Sequence, residues 1–440
     1  MNNIKILICA RLDSKRLPNK AMLNIVGKPV MQHLLERLQN SQYEPILCTT
    51  DQPSEFPLVH LAEKLGVKIF KGSKENVLKR MVNAADEYNA KTIIRNTADD
   101  IIIDLPLMEM MVQDHLKKKA DYTFTTGVPE GVATEIISTE LLKRALKNIK
   151  EENTEFVSYY VKRYAKKENK FFPPQYYIFP CRLTLDYIED LAVLSMLIDK
   201  LPKNFSCWEL IDYLKRNPFL LQINKLPKIS VYIANYNYGR YLSRAIDSVV
   251  RQTEQDFELI VIDDCSTDDS LEVMLNYAHH QKIKLSRNDT NLRVAATSNK
   301  ALSLAKGKYI VRLDADDEFV PEALEKMAKF LDNYDDYAIV YPNYFYEIKD
   351  RSIVKRGSEQ HLPAGAMIRK KCWNEIKYNE NRKCLDGKDF YIRFKAKFQV
   401  GYIDEPLFIY HQHSDSLSKD MEMITKENSL IEKELKRCRN

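Results

Sequence analysis

The sequence predicts two tandem Rossmann-like α/β domains, each with a mostly parallel sheet flanked by helices. Length, alternation and an internal repeat point there. A chain of 440 residues exceeds one ordinary core and suits two domains of about 200 residues each. Short apolar runs alternate with segments of helical period through both halves. Two stretches nearly coincide: Lys91-Thr-Ile-Ile-Arg-Asn-Thr-Ala-Asp-Asp100 and Lys308-Tyr-Ile-Val-Arg-Leu-Asp-Ala-Asp-Asp317. Each reads as a buried parallel strand whose carboxyl end carries clustered acids, the edge where open α/β sheets take their ligands. Adjacent carboxylates repel unless a cation or donors neutralise them. Mg²⁺ or Mn²⁺ on a nucleotide's phosphates is the candidate.

The first half alternates from its start. Ile4–Ala10 is a buried strand, and Pro29–Gln39 places Val30, Leu34, Leu35 and Leu38 on one helical face. Strands at Tyr43–Thr49, Val67–Phe70 and Thr92–Arg95 enclose helices through Leu58–Leu65 and from Glu75 to Tyr88. The first strand–helix connection carries Arg11, Lys15, Arg16 and Lys20 around Ser14. Arginine supplies planar forks for phosphate oxygens and lysine a point charge, so a triphosphate here would meet a metal held at Asp99. Helices near Tyr187–Leu201 and Trp208–Lys215 close this half. Asn217-Pro218 breaks the run, and Phe219–Asn224 reads as one more short strand. The domains are therefore drawn at 1–224 and 228–418, with 419–440 as a charged helical tail whose thin apolar stripe packs on the body or a second subunit.

Composition excludes several classes. The net charge of +5 is small and spread out, which argues against nucleic acid and suits anionic substrates. Eight cysteines are scattered without a C-x-x-C pair, so neither a zinc site nor a disulfide framework is indicated. A reducing cytoplasm fits. No apolar run approaches the roughly 20 residues of a membrane span. With 11 glycines there is no Walker A loop and no G-x-G-x-x-G, so side chains and metal must hold phosphates.

The words of the first half then resemble a family. Ala10-Arg11…Ser14…Arg16-Leu17-Pro18…Lys20…Gly27-Lys28-Pro29, Arg95-Asn-Thr-Ala-Asp-Asp100…Asp104, Glu135, and Arg182-Leu-Thr-Leu-Asp186…Asp190 are similar to the cytidylyltransferases related to CMP-Kdo synthetase, especially the SpsF-like branch. The resemblance implies a metal on Asp99 and Asp186, with Arg11, Ser14, Arg16 and Lys20 around the phosphates of CTP. Lys20 and Arg16 would serve the catalytic step, attack of an acidic sugar's hydroxyl or of a phosphate on the α-phosphorus with release of pyrophosphate. Asp100 and Ile101 stand where the family usually has Cys-Pro, and Phe156 replaces a histidine beside Glu155.

The second half restarts with Ile229–Ala234, and Phe257–Ile262 ends in Asp263-Asp264-Cys-Ser-Thr-Asp-Asp-Ser270. Ser266 or Thr267 can cap the next helix, with Asp268 and Asp269 in its first turn. Asp263 and Asp264 sit earlier and suit hydrogen bonds to a nucleobase or ribose. Asn235-Tyr-Asn237, Asp263-Asp-Cys-Ser-Thr-Asp268, Asn299-Lys-Ala301 and Leu313-Asp-Ala-Asp-Asp317 resemble the family 2 glycosyltransferases, which implies a fold of the GT-A type for both halves. That resemblance implies a nucleotide sugar bound by Asn235, Asp263, Asp264 and Asp314. Asp316 would lie nearest the metal, with His413 as a further ligand. An inverting displacement needs a base to deprotonate the acceptor hydroxyl. Leu385-Asp-Gly-Lys-Asp389 offers Asp386 first and Asp389 in reserve.

Together these readings describe a cytoplasmic bifunctional transferase acting on nucleotides, sugars and a glycan acceptor, and they allow a homodimer. Two alternatives stand beside it: a glycosyltransferase with a degenerate regulatory nucleotide-binding first half, and a nucleotide-sensing scaffold without turnover.

Overall fold

Ile4–Cys9 (β1) lies inside a seven-stranded sheet, because a strand that is apolar on both faces must be covered on both. The computed structural model describes residues 3–14, 16–149, 154, 157–348, 351–355, 364–373, 376–382, 384–411, 422 and 424–431. The chain divides into two units, Met1–Lys225 and Leu226–Asn440. In the first, β2 is Glu44–Thr50, β3 Lys68–Gly72, β4 Thr92–Thr97, β5 Tyr122–Thr125, β6 Glu135–Ser138 and β7 Glu168–Phe171. Their order is β3-β2-β1-β4-β6-β5-β7. β1 pairs in parallel with both β2 and β4, whereas β6 runs antiparallel to β4. Strand order therefore reverses between β1 and β4, and the loops leaving their carboxyl ends flank a crevice.

Helices cover both faces. One core joins Ile6, Ile8 and Ile94 to α1 (Val30–Leu38), α4 (Leu105–Lys118), α7 (Ile188–Lys200) and α8 (Cys207–Arg216). The other joins Leu7 and Ile93 to α3 (Val77–Glu87), α5 (Thr139–Asn148) and α6 (Val157–Tyr164). α2 (Phe56–Lys64) packs on the edge strand β3 and on α1. Met31, Leu34, Leu35 and Leu38 of α1 are wholly buried, each contributing about 1.5–3 kcal/mol.

The expected strand Phe219–Asn224 is instead a short helix, α9 (Leu220–Ile223). Leu220 N–H donates to Asn217 O at 3.1 Å, with Pro218 in the opening turn, where its missing N–H costs nothing. Within α9 only Leu220 is buried, and Phe219 before it points out, a one-sided pattern no central strand would show.

The second unit repeats the plan. Its strands are β8 (Ile229–Asn235), β9 (Phe257–Asp263), β10 (Ile283–Arg287), β11 (Tyr309–Arg312), β12 (Glu318–Phe319), β13 (Tyr337–Ile348), β14 (Arg351–Lys355), β15 (Met367–Arg369) and β16 (Gln399–His411). Eight lie in the order β10-β9-β8-β11-β15-β13-β16-β12, and β14 pairs with β13. The first four strands are parallel, and β15 is antiparallel to β11, matching β6 on β4. Around them lie α10 (Gly239–Val250), α11 (Ser270–Leu275), α12 (Arg293–Leu304), α13 (Ala323–Asn333), α14 (Lys370–Trp373) and α15 (Asp386–Lys395). Residues 424–431 of the tail are helical, and Ile431 is buried.

The expected helix cap at Ser266 or Thr267 does not form, because α11 starts at Ser270. Ser266 Oγ instead accepts from Asn237 N, and Asn237 Oδ1 accepts from Thr267 N. Asp268 accepts Gly239 N–H at 2.9 Å, so the acidic run ties the β9 loop to the start of α10. A side chain at position 239 would collide with Asp269, which is why glycine stands there.

Candidate functional site

At the first crevice, β4 continues into Thr97-Ala-Asp-Asp100. Leu185 N–H donates to Asp99 O at 3.0 Å, bringing the segment that carries Asp186 beside Asp99. Two devices fix that segment. Gly131, at φ 102°, lets residues 129–132 lie against 181–184, where a Cβ would meet Leu183 O at 2.8 Å. Asp190, wholly buried, accepts Asp186 N at 2.8 Å and Tyr187 N at 2.7 Å while pairing with Arg182.

Lys20 enters from the loop after β1. Its Nζ donates to Asp99 Oδ2 at 3.0 Å, Asp186 Oδ1 at 3.2 Å and Leu185 O at 3.1 Å. Burial disfavours the ammonium, yet the two carboxylates outweigh it and raise its pKa. The same balance against burial lowers the pKa of Asp99, chiefly through Lys20. Arg16 reaches Asp186 Oδ1 at 2.9 Å with its side chain half exposed. Asp100 meets the opposite fate. Burial, then Asp99, pushes its carboxyl up to about 8, and Thr97 Oγ1 donates to it at 2.8 Å. The adjacent acids thus divide the charge between them.

Arg11 turns to Asp13 at 2.9 Å, and Lys74 pairs with Asp13 at 3.3 Å. Ser14 is half-buried in the loop, and Lys15 lies outside the described residues. The base of the loop rests on buried Glu55, which accepts Leu12 N at 3.1 Å. Nothing in the sequence pattern marks Glu55, since it is one acid among many in a helix-start segment.

A divalent ion fits the donor set here. Two carboxylate oxygens already converge on one cationic atom, Lys20 Nζ. Among the described residues no group of three or more His, Cys, Asp or Glu side chains surrounds a single point. An ion held by two protein carboxylates and completed by phosphates and water is the manner of Mg²⁺.

In the second unit Arg312, at the end of β11, organises the acids. Its Nε donates to Asp314 Oδ1 at 2.6 Å and its Nη1 to Asp386 Oδ2 at 2.7 Å. Burial opposes its charge, but Asp314 and Asp386 raise its pKa well above the usual value. Burial also raises Asp314 despite Arg312, and raises Asp317 further because Asp316 and Asp314 lie near. Arg244 Nη2 donates to Asp316 O at 2.6 Å, holding the loop, and His411 N donates to Asp317 Oδ1 at 3.0 Å. Arg312 was visible in the sequence only as part of the repeat; its pairing across 74 residues was not.

Asp386 and Asp389 open α15 but differ in company. Asp389 accepts from Arg382 at 3.1 Å and from Arg393 at 2.7 Å, and is enclosed. Arg382 also reaches Glu427 of the tail at 3.6 Å. Asp386 follows Leu385, whose φ of 56° is a left-handed conformation that costs a leucine about 1–2 kcal/mol. Asp264 Oδ1 accepts Asn288 Nδ2 at 2.7 Å and Leu292 N at 2.9 Å. Asp263, wholly buried, accepts from Asn235, Ser266 N and Arg287. Asn235 Oδ1 is buried without a hydrogen-bond partner. His413 lies outside the described residues.

Comparison with known proteins agrees with this division. Residues 5–225 match the family described as cytidylyltransferase, and residues 230–397 match glycosyl transferase family 2. The spore coat polysaccharide biosynthesis protein SpsF of Bacillus subtilis is 29% identical over 50% of this chain and 96% of its own length. The putative glycosyltransferase EpsE of the same organism is 31% identical over 48% of this chain and 82% of its own. A cytidylyltransferase structure from Leptospira borgpetersenii is 29% identical, covers 51% of this chain and 98% of its own, and has a TM-score of 0.47.

Proposed function

From a chain that belongs to the cytidylyltransferases through its first half and to the family 2 glycosyltransferases through its second, we propose a bifunctional enzyme of surface polysaccharide or glycoconjugate assembly. In the first unit an acidic sugar's hydroxyl, or the phosphate of a sugar or polyol, attacks the α-phosphorus of CTP. The new P–O bond joins it to CMP, and the bond to the β-phosphate breaks to release pyrophosphate. The observation carrying this reading is Lys20 held between Asp99 and Asp186 at the strand-order reversal. Lys20 and Arg16 neutralise charge on the phosphates, and Arg11 exchanges Asp13 for the nucleotide. Mg²⁺ or Mn²⁺, held by Asp99 and Asp186, would supply further charge neutralisation at the phosphates.

In the second unit the nucleotide sugar lies over Asn235 and Asp264 with its diphosphate toward Asp314 and Asp316. Asp263, wholly buried and held by Asn235, Ser266 N and Arg287, braces that loop rather than touching the nucleotide as the sequence suggested. The acceptor hydroxyl attacks the anomeric carbon, the nucleoside diphosphate departs, and Asp386 takes the hydroxyl's proton. His413 would be a further ligand beside Asp316. Asp389 is the weaker choice for the base, since two arginines already occupy it. A supply of CTP and nucleotide sugars puts the enzyme in the cytoplasm, and no described helix is long and apolar enough to cross a membrane.

The test is pyrophosphate release from CTP and Mg²⁺ against acidic sugars and sugar or polyol phosphates. Turnover should appear with one acceptor class and vanish in Asp99→Asn; turnover undiminished by that change would refute the site. A degenerate first unit is disfavoured by the intact contacts among Lys20, Arg16, Asp99 and Asp186.

A further inference from the structure

The sequence spreads its positive charge thinly, but the fold gathers it. α4 ends in Lys117-Lys118 with Lys119 capping it, and the segment from α6 into β7 carries Lys162, Arg163, Lys166, Lys167 and Lys170. These segments are some 40 residues apart, yet α4 and β7 are packed neighbours. Lys118 Nζ donates to Asn169 Oδ1 at 3.0 Å, and Asp121 accepts Lys166 N and Lys167 N at 2.9 Å each. β7 is the last strand of its sheet, so the cluster lines a sheet edge.

Residues 113–121 and 162–170 together hold eight Lys or Arg side chains and three carboxylates. Each carboxylate is engaged internally: Asp114 by Lys118, Asp121 by Arg144, Glu168 by Lys162. Lys117, Lys119, Lys166, Lys167 and Lys170 are exposed and form no ion pair among the described residues. The local excess equals the whole chain's net charge of +5. At the far end of β7 the apolar character reverses. Phe172 is 77% exposed with Lys170 over its ring at 5.7 Å, and Tyr176 and Ile178 follow, both exposed.

Lysine on an edge strand ordinarily serves to block pairing with other chains. Phe172 works against that purpose, because an exposed aromatic at the strand end invites association. Lysines beside an exposed aromatic instead match a surface that is negative outside and apolar just beneath. The cations are seven lysines and one arginine, compact hydrated charges rather than planar forks. They suit a diffuse anionic plane better than base-edge or bidentate phosphate readout.

We propose that the β7 edge of the first unit is a docking surface for an anionic lipid bilayer. The lysines supply long-range attraction, and Phe172 enters the headgroup region. Binding of this kind is reversible and weakens about fivefold for each lysine lost.

The test is co-sedimentation of the full chain with vesicles of phosphatidylcholine alone or mixed with phosphatidylglycerol, at low salt and at about 0.5 M, where screening is strong. The expected result is binding to the mixed vesicles only, lost at high salt. Lys166→Glu with Lys167→Glu should weaken it at least tenfold, and Phe172→Ser several-fold. Lys64→Glu with Lys203→Glu, two exposed lysines elsewhere on the same unit, makes the same change in net charge and should alter binding less than twofold. Equal binding to neutral vesicles, or equal loss in that control pair, would overturn the proposal. So would retention of RNA, or a change of oligomeric state in Lys166→Glu/Lys167→Glu, without any vesicle binding. Each readout is independent of catalysis.

Discussion

The two acid-tipped strands, β4 and β11, start from nearly the same ten residues and solve the same electrostatic problem in opposite ways. Both lie beside the first strand of their unit, in parallel, where strand order reverses. In β4 the repeat's arginine, Arg95, faces away to Glu135 at 2.6 Å, and Tyr122 and Ser158 complete that buried cluster. The acids are left to a lysine from another loop. In β11 the equivalent Arg312 turns to the acids themselves and bridges Asp314 to Asp386. The seventh repeat position is Thr97 in one strand and Asp314 in the other. A third acid there draws the arginine inward, whereas threonine releases it to support the sheet. A shared motif therefore places carboxylates, and its surroundings, Glu135 across from Arg95 and a third acid beside Arg312, go with a different cation answering them in each unit.

The largest expected effect separates the two units. Asp99→Asn removes one of the two carboxylates that hold Lys20, and pyrophosphate release should fall below detection. Glycosyl transfer measured on the same preparation should stay within about twofold. A parallel fall in both activities would mean that the units share a step and that the comparison above is wrong.

Next is the pair at the head of α15. Asp386→Asn should reduce transfer by about 10²–10⁴-fold, as loss of a general base does, and should lower the melting temperature less than Asp389→Asn, because Arg312 keeps Asp314 as a partner. Asp389→Asn breaks a buried ion pair, and its cost is about 3–5 kcal/mol of stability. A melt and a rate for each variant distinguish base from brace. If Asp389→Asn melts normally and is inactive, the two roles are exchanged.

Much of this was legible in the chain. Apolar runs marked β1 to β4, β8, β9 and β11, and the two Ala-Asp-Asp endings marked both crevices, while the strands beyond β4 and β11 in each sheet went unmarked. Contacts that close over distance were not. Lys20 meets Asp186 across 166 residues, and Arg312 meets Asp386 across 74, with no local period to announce either. Local signals also misled where two principles competed. The apolar run Phe219–Asn224 suggested a strand until proline and a single buried face made it a turn of helix. Ser266, a good cap by composition, was drawn away to brace the Asn235–Asn237 loop.

Acid should weaken the first unit through His115. The ring is buried on α4, and its Nδ1 lies 2.9 Å from Thr123 Oγ1, with Asp114 and Asp121 the nearby charges. Burial outweighs those carboxylates and pushes the imidazole down to about 4. An unfolded histidine titrates near 6.5, so between about 4 and 6.5 the unfolded chain binds more protons. Stability is therefore complete above that window and declines as pH falls through it, by about 3 kcal/mol at its lower end. Melts of the wild type at pH 7 and pH 5 should show this loss, and His115→Gln should reduce it. An unchanged pH dependence in that variant would assign the acid sensitivity to other groups.

The smallest effect tests the residues that precede each key side chain. Asn19, before Lys20, and Leu385, before Asp386, both hold left-handed backbone, at φ 55° and 56°. Asparagine tolerates that region, whereas leucine pays about 1–2 kcal/mol for it. Leu385→Gly relieves the strain but loses leucine contacts and adds entropy to the unfolded chain. The net change should be within about 1 kcal/mol, a shift of a few degrees in melting temperature. If the strain aims Asp386, transfer falls in Leu385→Gly although the unit is no less stable, and Asn19→Gly leaves cytidylyl transfer nearly unaltered. Equal activity in Leu385→Gly would make the left-handed turn a feature of chain tracing alone, and the two crevices would then differ in their cations and not in how rigidly they hold them.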